Sequence, residues 1–187
     1  MALDANPYIT QTAYAAAAGE VIAYPTEAVW GLGCDPFCEP AVQKILRLKR
    51  RPQAKGVILI AGSMAQVEFL LHDLDLKYRE RLMQTWPGPN TWLVPHHCRV
   101  PESIHGRFDT VAVRVTEHPV VKSLCETIGG PLVSTSANPQ GLPPAQTQLR
   151  ARSYFGQAIH YCPGVVGNAV NPSQIRHLLT GDVIRPA

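Results

Sequence analysis

The 187-residue sequence lacks the compact signatures that mark most nucleotide-binding and hydrolytic enzymes. No GxxxxGK[ST] occurs, so there is no P-loop, and Gly31-Leu32-Gly33 lacks the third glycine of a dinucleotide fingerprint. Neither GxSxG nor HExxH is present, which excludes a nucleophile-elbow hydrolase and a helix-borne zinc protease. No apolar run approaches the roughly 20 residues that span a bilayer, and residues 1–20 show neither a basic leader nor a long apolar core. The five cysteines (Cys34, Cys38, Cys98, Cys125, Cys162) are odd in number, dispersed and free of any CxxC pair. Neither a disulfide framework nor a zinc ribbon is expected. Free thiols without an export signal point to a reducing cytoplasm. His96-His97-Cys98 is a dense group of potential ligands, but adjacent side chains rarely close one tetrahedral site, and no metal centre is expected.

What is present is modest in sum and uneven in place. Seventeen Lys and Arg against fourteen Asp and Glu leave a net charge of +3, too little to mark a nucleic-acid binder. Lys44, Arg47, Lys49, Arg50, Arg51 and Lys55, however, crowd one stretch with no acid among them. The length fits one domain over residues 1–187.

Asn6 before Pro7 caps an Ala-rich helix ending near Gly19. The apolar run from Val21 to Tyr24 predicts a buried strand, and the glycine-punctuated stretch from Pro25 to Gly33 (PTEAVWGLG) a loop at its end. Helical spacing runs from Pro40 to Lys49, with cations complementing the dipole at its C-terminus. A second apolar strand covers Val57 to Ala61; helices follow from Ser63 to about Leu71 and around Tyr78, Leu82 and Trp86. Short strands are expected at Thr91 to Val94, Thr110 to Val115, Leu132 to Ser134, Ile159 to Cys162, Ser173 to Leu178 and Val183 to Arg185. The last two are joined by a Thr180-Gly181-Asp182 turn. Helices intervene at Pro119 to Ile128 and Thr147 to Phe155. This order predicts an α/β fold: a twisted, open mixed sheet with flanking helices.

Three segments carry chemistry. Lys49-Arg50-Arg51-Pro52 with Lys55 offers guanidinium forks and point-charge ammoniums suited to a polyphosphate, although a basic run of this kind is also what a solvated helix end looks like. Ser134-Thr135-Ser136-Ala137-Asn138 follows an apolar strand, where open α/β sheets place ligands; the same residue types also simply cap turns. Arg114 lies in the apolar strand VAVRV, and Arg185 in a later one. A cation there needs an anionic ligand or a paired acid such as Asp109 or Glu117.

Together these segments resemble the YrdC/TsaC family of threonylcarbamoyl-AMP synthases nearly end to end. The resemblance rests on Tyr24 to Gly33 (YPTEAVWGLG), Leu48 to Lys55 (LKRRPQAK), Trp86 to Pro89 (WPGP) and Ala112 to Val115 with His118-Pro119. It continues through Pro131 to Asn138 with Gly141, and Ile184-Arg185-Pro186. The pairing of Lys49/Arg51 with Ser136/Asn138 is the family's core signature. The resemblance implies a basic concave cavity and a reaction that joins L-threonine, bicarbonate and ATP, releasing pyrophosphate. It implies ATP as a substrate, as its magnesium complex, with no tightly bound cofactor. The product would pass to a transferase complex of the TsaB, TsaD and TsaE type that modifies a tRNA adenosine beside the anticodon. Residue by residue it implies Lys49 and Arg51 as the catalytic pair; Arg51, Lys55, Thr110, Ser136, Asn138 and Arg185 on ATP; and Thr26, Arg114, Ser134 and Ser173 on threonine.

The sequence departs from the pattern in places. Ile60 stands where longer relatives often place a threonine-binding histidine, and Asn90 where an apolar residue usually follows WPGP. The additional C-terminal domain of the longer branch is not expected. Two other functions remain compatible with the sequence: a double-stranded RNA or rRNA-binding protein acting in ribosomal RNA maturation without catalysis, and a carbamoyl-transfer module.

Overall fold

A computed structural model describes residues 6–186. The reading of residues 1–5 and of Ala187 lies outside the described residues. Nine strands form one mixed sheet in the order β7-β1-β2-β6-β3-β5-β4-β8-β9. In chain order these are β1 (Ile22–Pro25), β2 (Trp30–Gly33), β3 (Ile58–Ala61), β4 (Asn90–Pro95), β5 (Thr110–Val115), β6 (Leu132–Ser136), β7 (His160–Tyr161), β8 (Gln174–His177) and β9 (Val183–Arg185). The pairs β1/β7, β3/β5 and β4/β8 run parallel, the others antiparallel.

The helices begin where their caps predict. Helix α1 (Pro7–Ala17) starts after Asn6, whose Oδ1 accepts the Tyr8 amide at 3.1 Å. Helix α2 (Glu39–Lys49) stops because Arg50 turns left-handed at φ 53°, one step before Pro52 could break it. Short helices α3 (Glu68–Leu71), α4 (Leu76–Met83) and α5 (Glu102–His105) follow, then α6 (Pro119–Ile128), closed by Gly129, and α7 (Gln148–Phe155), capped by Thr147.

Two expectations fail: Trp86, expected on a helix face with Tyr78 and Leu82, lies beyond the end of α4 at Met83, and a strand takes the place of an expected loop. The stretch from Pro25 to Gly33 is not all loop: Trp30–Gly33 is β2, hairpinned onto β1 and wholly buried. The glycines that suggest a loop are there for space. A Cβ on Gly33 would lie 2.3 Å from the Val133 carbonyl and 2.7 Å from the Tyr24 ring, so only glycine lets the strand pass. The Tyr24 hydroxyl donates to that carbonyl at 2.9 Å.

The period of two along each strand divides the core. One face, bearing Leu59, Ala61, Val111, Val113, Val115 and Val133, packs under α2, α3 and α4. On the other face α1 and α6 cover Ile22, Tyr24, Ile60 and Leu132. That cover ends part-way along the sheet. Residues further along the same strand faces, Ile58 on β3, Thr110 and Ala112 on β5, and Ser134 and Ser136 on β6, line an open cavity instead.

Candidate active site

The uncovered part of the sheet forms a cavity of about 510 Å³. Its floor is β3, β5 and β6; one wall is the turn after α2, the other the β8/β9 hairpin. A second hollow of about 230 Å³ beside α1 carries no Lys, Arg, Asp or Glu. Charge therefore concentrates in the sheet cavity, where Arg51 and Lys55 from the turn after α2 converge with Arg114 of β5 and Arg185 of β9.

Arg51 and Lys55 reach the cavity because α2 ends abruptly and a single 3-10 turn (Gln53–Lys55) carries the chain to β3. Arg51 Nε donates to the Gly56 carbonyl at 2.9 Å, which fixes the guanidinium plane. Burial holds its pKa below the ordinary arginine value. Gly56 is required here: its φ is 57°, and a Cβ would sit 2.8 Å from the Ile104 carbonyl.

Lys49, expected on the phosphates, does not line the cavity. It is 5% exposed, and its ammonium points into the loop after β6. There Nζ donates to the Ser136 carbonyl, to the Asn138 carbonyl at 2.8 Å and to Asn138 Oδ1 at 3.3 Å. Three acceptors use all three donors. Burial, with the neighbouring Arg51 charge second, pushes its pKa down to about 8. Asn138 is likewise a loop brace: Oδ1 also accepts from Ser136 Oγ at 2.6 Å, and Nδ2 donates to the Leu142 carbonyl at 2.5 Å. Of the Ser136/Asn138 pair, only Ser136 faces the cavity. The lysine thus shapes the loop that the ligand meets.

Arg114 is 9% exposed and lines the cavity floor. Its partner is neither Asp109 nor Glu117. NH2 meets Glu27 Oε1 at 2.5 Å and Nε donates to the Gly88 carbonyl at 3.2 Å. Sequence reasoning missed Glu27 because it lies on a distant loop and nothing local marks it.

The remaining candidates line the same space: Thr26, Thr110, Ser134, Ser173 and Arg185. The Thr26 hydroxyl closes its own turn by donating to the Val29 carbonyl at 2.8 Å, leaving its lone pairs free to accept. Ser173 Oγ meets Thr91 Oγ1 at 2.7 Å, and Arg185 donates to the Ser173 carbonyl at 2.6 Å. Burial lowers the Arg185 pKa as well. His96 spends Nε2 on the Phe108 carbonyl and Nδ1 on the Cys98 amide, both at 3.1 Å. Among the described residues no three His, Cys, Asp or Glu side chains gather as metal ligands. Ile60 lies under α6, 1% exposed, and Asn90 opens β4 with nothing in the structure to explain its side chain.

The Sua5/YciO/YrdC family model, described as "Telomere recombination", matches residues 15–187. The chain belongs to this family. It is 56% identical over 182 residues to the threonylcarbamoyl-AMP synthase of Saccharophagus degradans, covering 97% of this chain and 95% of that one. To the Pseudomonas paraeruginosa protein of the same name it is 58% identical over 173 residues, 90% and 91% of the two chains. The P. abyssi Sua5 structure complexed with L-threonine superposes with a TM-score of 0.88 at 30% identity. This chain is covered to 95% there but spans only 53% of the P. abyssi one. The E. coli YciO structure, at 23% identity and a TM-score of 0.81, shares the fold.

Proposed function

We propose that this protein is an L-threonylcarbamoyladenylate synthase, condensing L-threonine, bicarbonate and ATP to threonylcarbamoyl-AMP and pyrophosphate. One observation carries the reading: a guanidinium on the sheet floor (Arg114) and a separate cation group at the α2 turn (Arg51, Lys55) face one cavity. Such a site has a carboxylate anchor at one place and a polyphosphate anchor at another. High identity to relatives named threonylcarbamoyl-AMP synthases supports the same reading.

In the chemistry that fits, the threonine amine attacks the carbon of bicarbonate, water leaves, and a carbamate forms. A carbamate oxygen then attacks the α-phosphorus of ATP, and the bond to pyrophosphate breaks. The charge that develops is on phosphate oxygens, so the protein's work is positioning and electrostatic stabilisation. Arg51 and Lys55 suit the departing pyrophosphate; Thr110, Ser136 and Arg185 suit the remainder of ATP; Thr26, Arg114, Ser134 and Ser173 suit threonine. Magnesium enters with ATP as part of the substrate. The labile adenylate is handed to a tRNA-modifying transferase of the TsaB, TsaD and TsaE type in the cytoplasm.

The test is to incubate the protein with ATP, bicarbonate and L-threonine and follow pyrophosphate and the adenylate. Release that depends on threonine is expected; release without it, or none at all, overturns the reading.

A further inference from the structure

Glu27 is an acid behind a cavity floor that presents Arg114, and its surroundings are specific. Its Oε1 is met from two sides, by the Arg114 NH2 in an ion pair at 2.5 Å and by the Thr116 hydroxyl, which donates to it. Oε2 is buried and has no partner among the described residues. A buried carboxylate oxygen without a partner is costly and calls for a reason beyond packing.

The backbone beneath it is held equally firmly. The segment after β7 crosses the 26–29 turn, where the Gly167 amide donates to the Thr26 carbonyl at 2.9 Å and the Ala169 amide to the Glu27 carbonyl at 3.0 Å. A Cβ on Gly167 would lie 3.1 Å from Glu27 Cα, so the crossing is in close contact. His118, whose Nε2 meets the Val165 carbonyl at 3.2 Å, ties the same segment to the start of α6, and its amide donates to Thr116 Oγ1 at 3.1 Å. Thr116 thereby holds Glu27 from behind.

Arg114 is gripped on two sides, by the Gly88 carbonyl at Nε and by Glu27 at NH2. NH1 meets no protein acceptor among the described residues. A guanidinium held in this way presents one fixed edge to the cavity.

We propose that Glu27 is a positioning residue that acts through Arg114, orienting the guanidinium for the carboxylate of the amino-acid substrate. This rests on the reading of the cavity as an amino-acid and ATP site. Glu27 does not itself line the cavity, so its effect passes through the arginine and is specific to a ligand that carries a carboxylate.

The experiment measures binding of L-threonine, of L-threoninamide and of ATP to the wild type and to Glu27→Gln, with melting curves for both. Threoninamide keeps the ammonium and the hydroxyl but lacks the carboxylate. For Glu27→Gln, threonine affinity should fall about 10- to 100-fold, the range expected when a guanidinium loses its charged partner. Threoninamide and ATP affinities should stay within about twofold of the wild type. Equal losses for threonine and threoninamide would mean that Glu27 acts on the amine or on the pocket as a whole; unchanged threonine binding would mean that Arg114 needs no brace. Either result overturns the proposal. If the wild type binds ATP but no threonine, the functional reading fails instead. Should Glu27→Gln not fold, Thr116→Val removes the rear hydroxyl; it should give a smaller loss of the same selectivity, restored in Thr116→Ser. Losses common to all three ligands in Thr116→Val would also overturn the proposal.

Discussion

Lys49 holds the Asn138 carbonyl at 2.8 Å across 89 positions of sequence. The contact joins the two halves of the family signature, and it does so inside the protein. Its ammonium donates to two backbone carbonyls and one side-chain oxygen; the Ser136 carbonyl and Asn138 Oδ1 have a second donor each, at 2.9 and 2.6 Å, and among the described residues the Asn138 carbonyl has none. Removing it leaves the Asn138 carbonyl unpaired, at about 1–3 kcal/mol for a neutral group. Lys49→Met should lower stability by about 1–3 kcal/mol and raise the KM for ATP, because Ser136 then loses its support. Lys49→Arg should rescue little, since the larger guanidinium has no room at a 5% exposed position. Denaturant melts and ATP titrations of the two variants check this.

The same lysine gives a pH dependence of defined sign. With its pKa at about 8 instead of the ordinary 10.5, the folded state binds fewer protons than the unfolded state between those values. Stability from this group therefore rises as pH climbs from about 8 to 10.5, and its buried-charge penalty is fully present below about 8. Activity should move the other way: a neutral amine has only two N–H donors for three acceptors, so the KM for ATP should rise through about pH 8. Buried thiols such as Cys125 and Cys162, pushed up to about 12, oppose the stability gain above their ordinary value. The lysine's share is thus the difference between wild-type and Lys49→Met melting curves taken over pH.

Arg51 is anchored at Nε to the Gly56 carbonyl, with NH2 on the Lys55 carbonyl at 3.4 Å, and lines the cavity. Arg51→Lys keeps the charge but loses the fork and the anchor. It should cut kcat/KM for ATP by about 10²-fold, some 2.7 kcal/mol, with threonine binding unchanged. Arg51→Ala should abolish turnover and leave the fold intact. Steady-state kinetics with each substrate varied in turn distinguishes the two; normal turnover in Arg51→Ala would show the basic turn to be solvated surface.

Much of this fold is legible locally. The strand Thr110–Val115 and the helix Pro119–Ile128 coincide with their sequence-based bounds, because alternation, an initial proline and a closing glycine all lie within the segment. The mixed sheet follows from the irregular order of strands and helices. What escapes the sequence is tertiary in origin. Trp30–Gly33 reads as loop because its glycines answer to a tyrosine ring and to the carbonyl of a distant strand. The site shows the same split. Residue types and motif order locate Arg51, Lys55, Arg114 and Ser136 at one cavity. That Lys49 turns inward and that Arg114 pairs with Glu27 depend on contacts no local pattern encodes.

Gly33 makes the tertiary origin of β2 measurable. An added methyl at 2.3 Å from the Val133 carbonyl meets backbone, which cannot rotate away. Gly33→Ala should cost more than about 3 kcal/mol, above the usual range for overpacking by one carbon. A melting temperature about 6–12 °C lower follows for a domain of this size. A wild-type melting curve for Gly33→Ala would show that the β2/β6 crossing has slack.

Ile60 tests whether threonine selection can be transplanted. The residue stands where longer relatives often carry a histidine, and it pairs with Arg114 in the β3/β5 ladder. Its side chain is 1% exposed and packs with Val121, Leu124 and Leu132 beneath α6. An imidazole placed there would exchange apolar contacts for a polar ring in an apolar cluster. Ile60→His should therefore lose about 2–4 kcal/mol of stability. Its threonine affinity should not improve, because the hydroxyls of Thr26, Ser134 and Ser173 already line that end of the cavity. Tighter threonine binding in Ile60→His, with the melting curve unchanged, would show that the α6 cover yields and that this position belongs to the site.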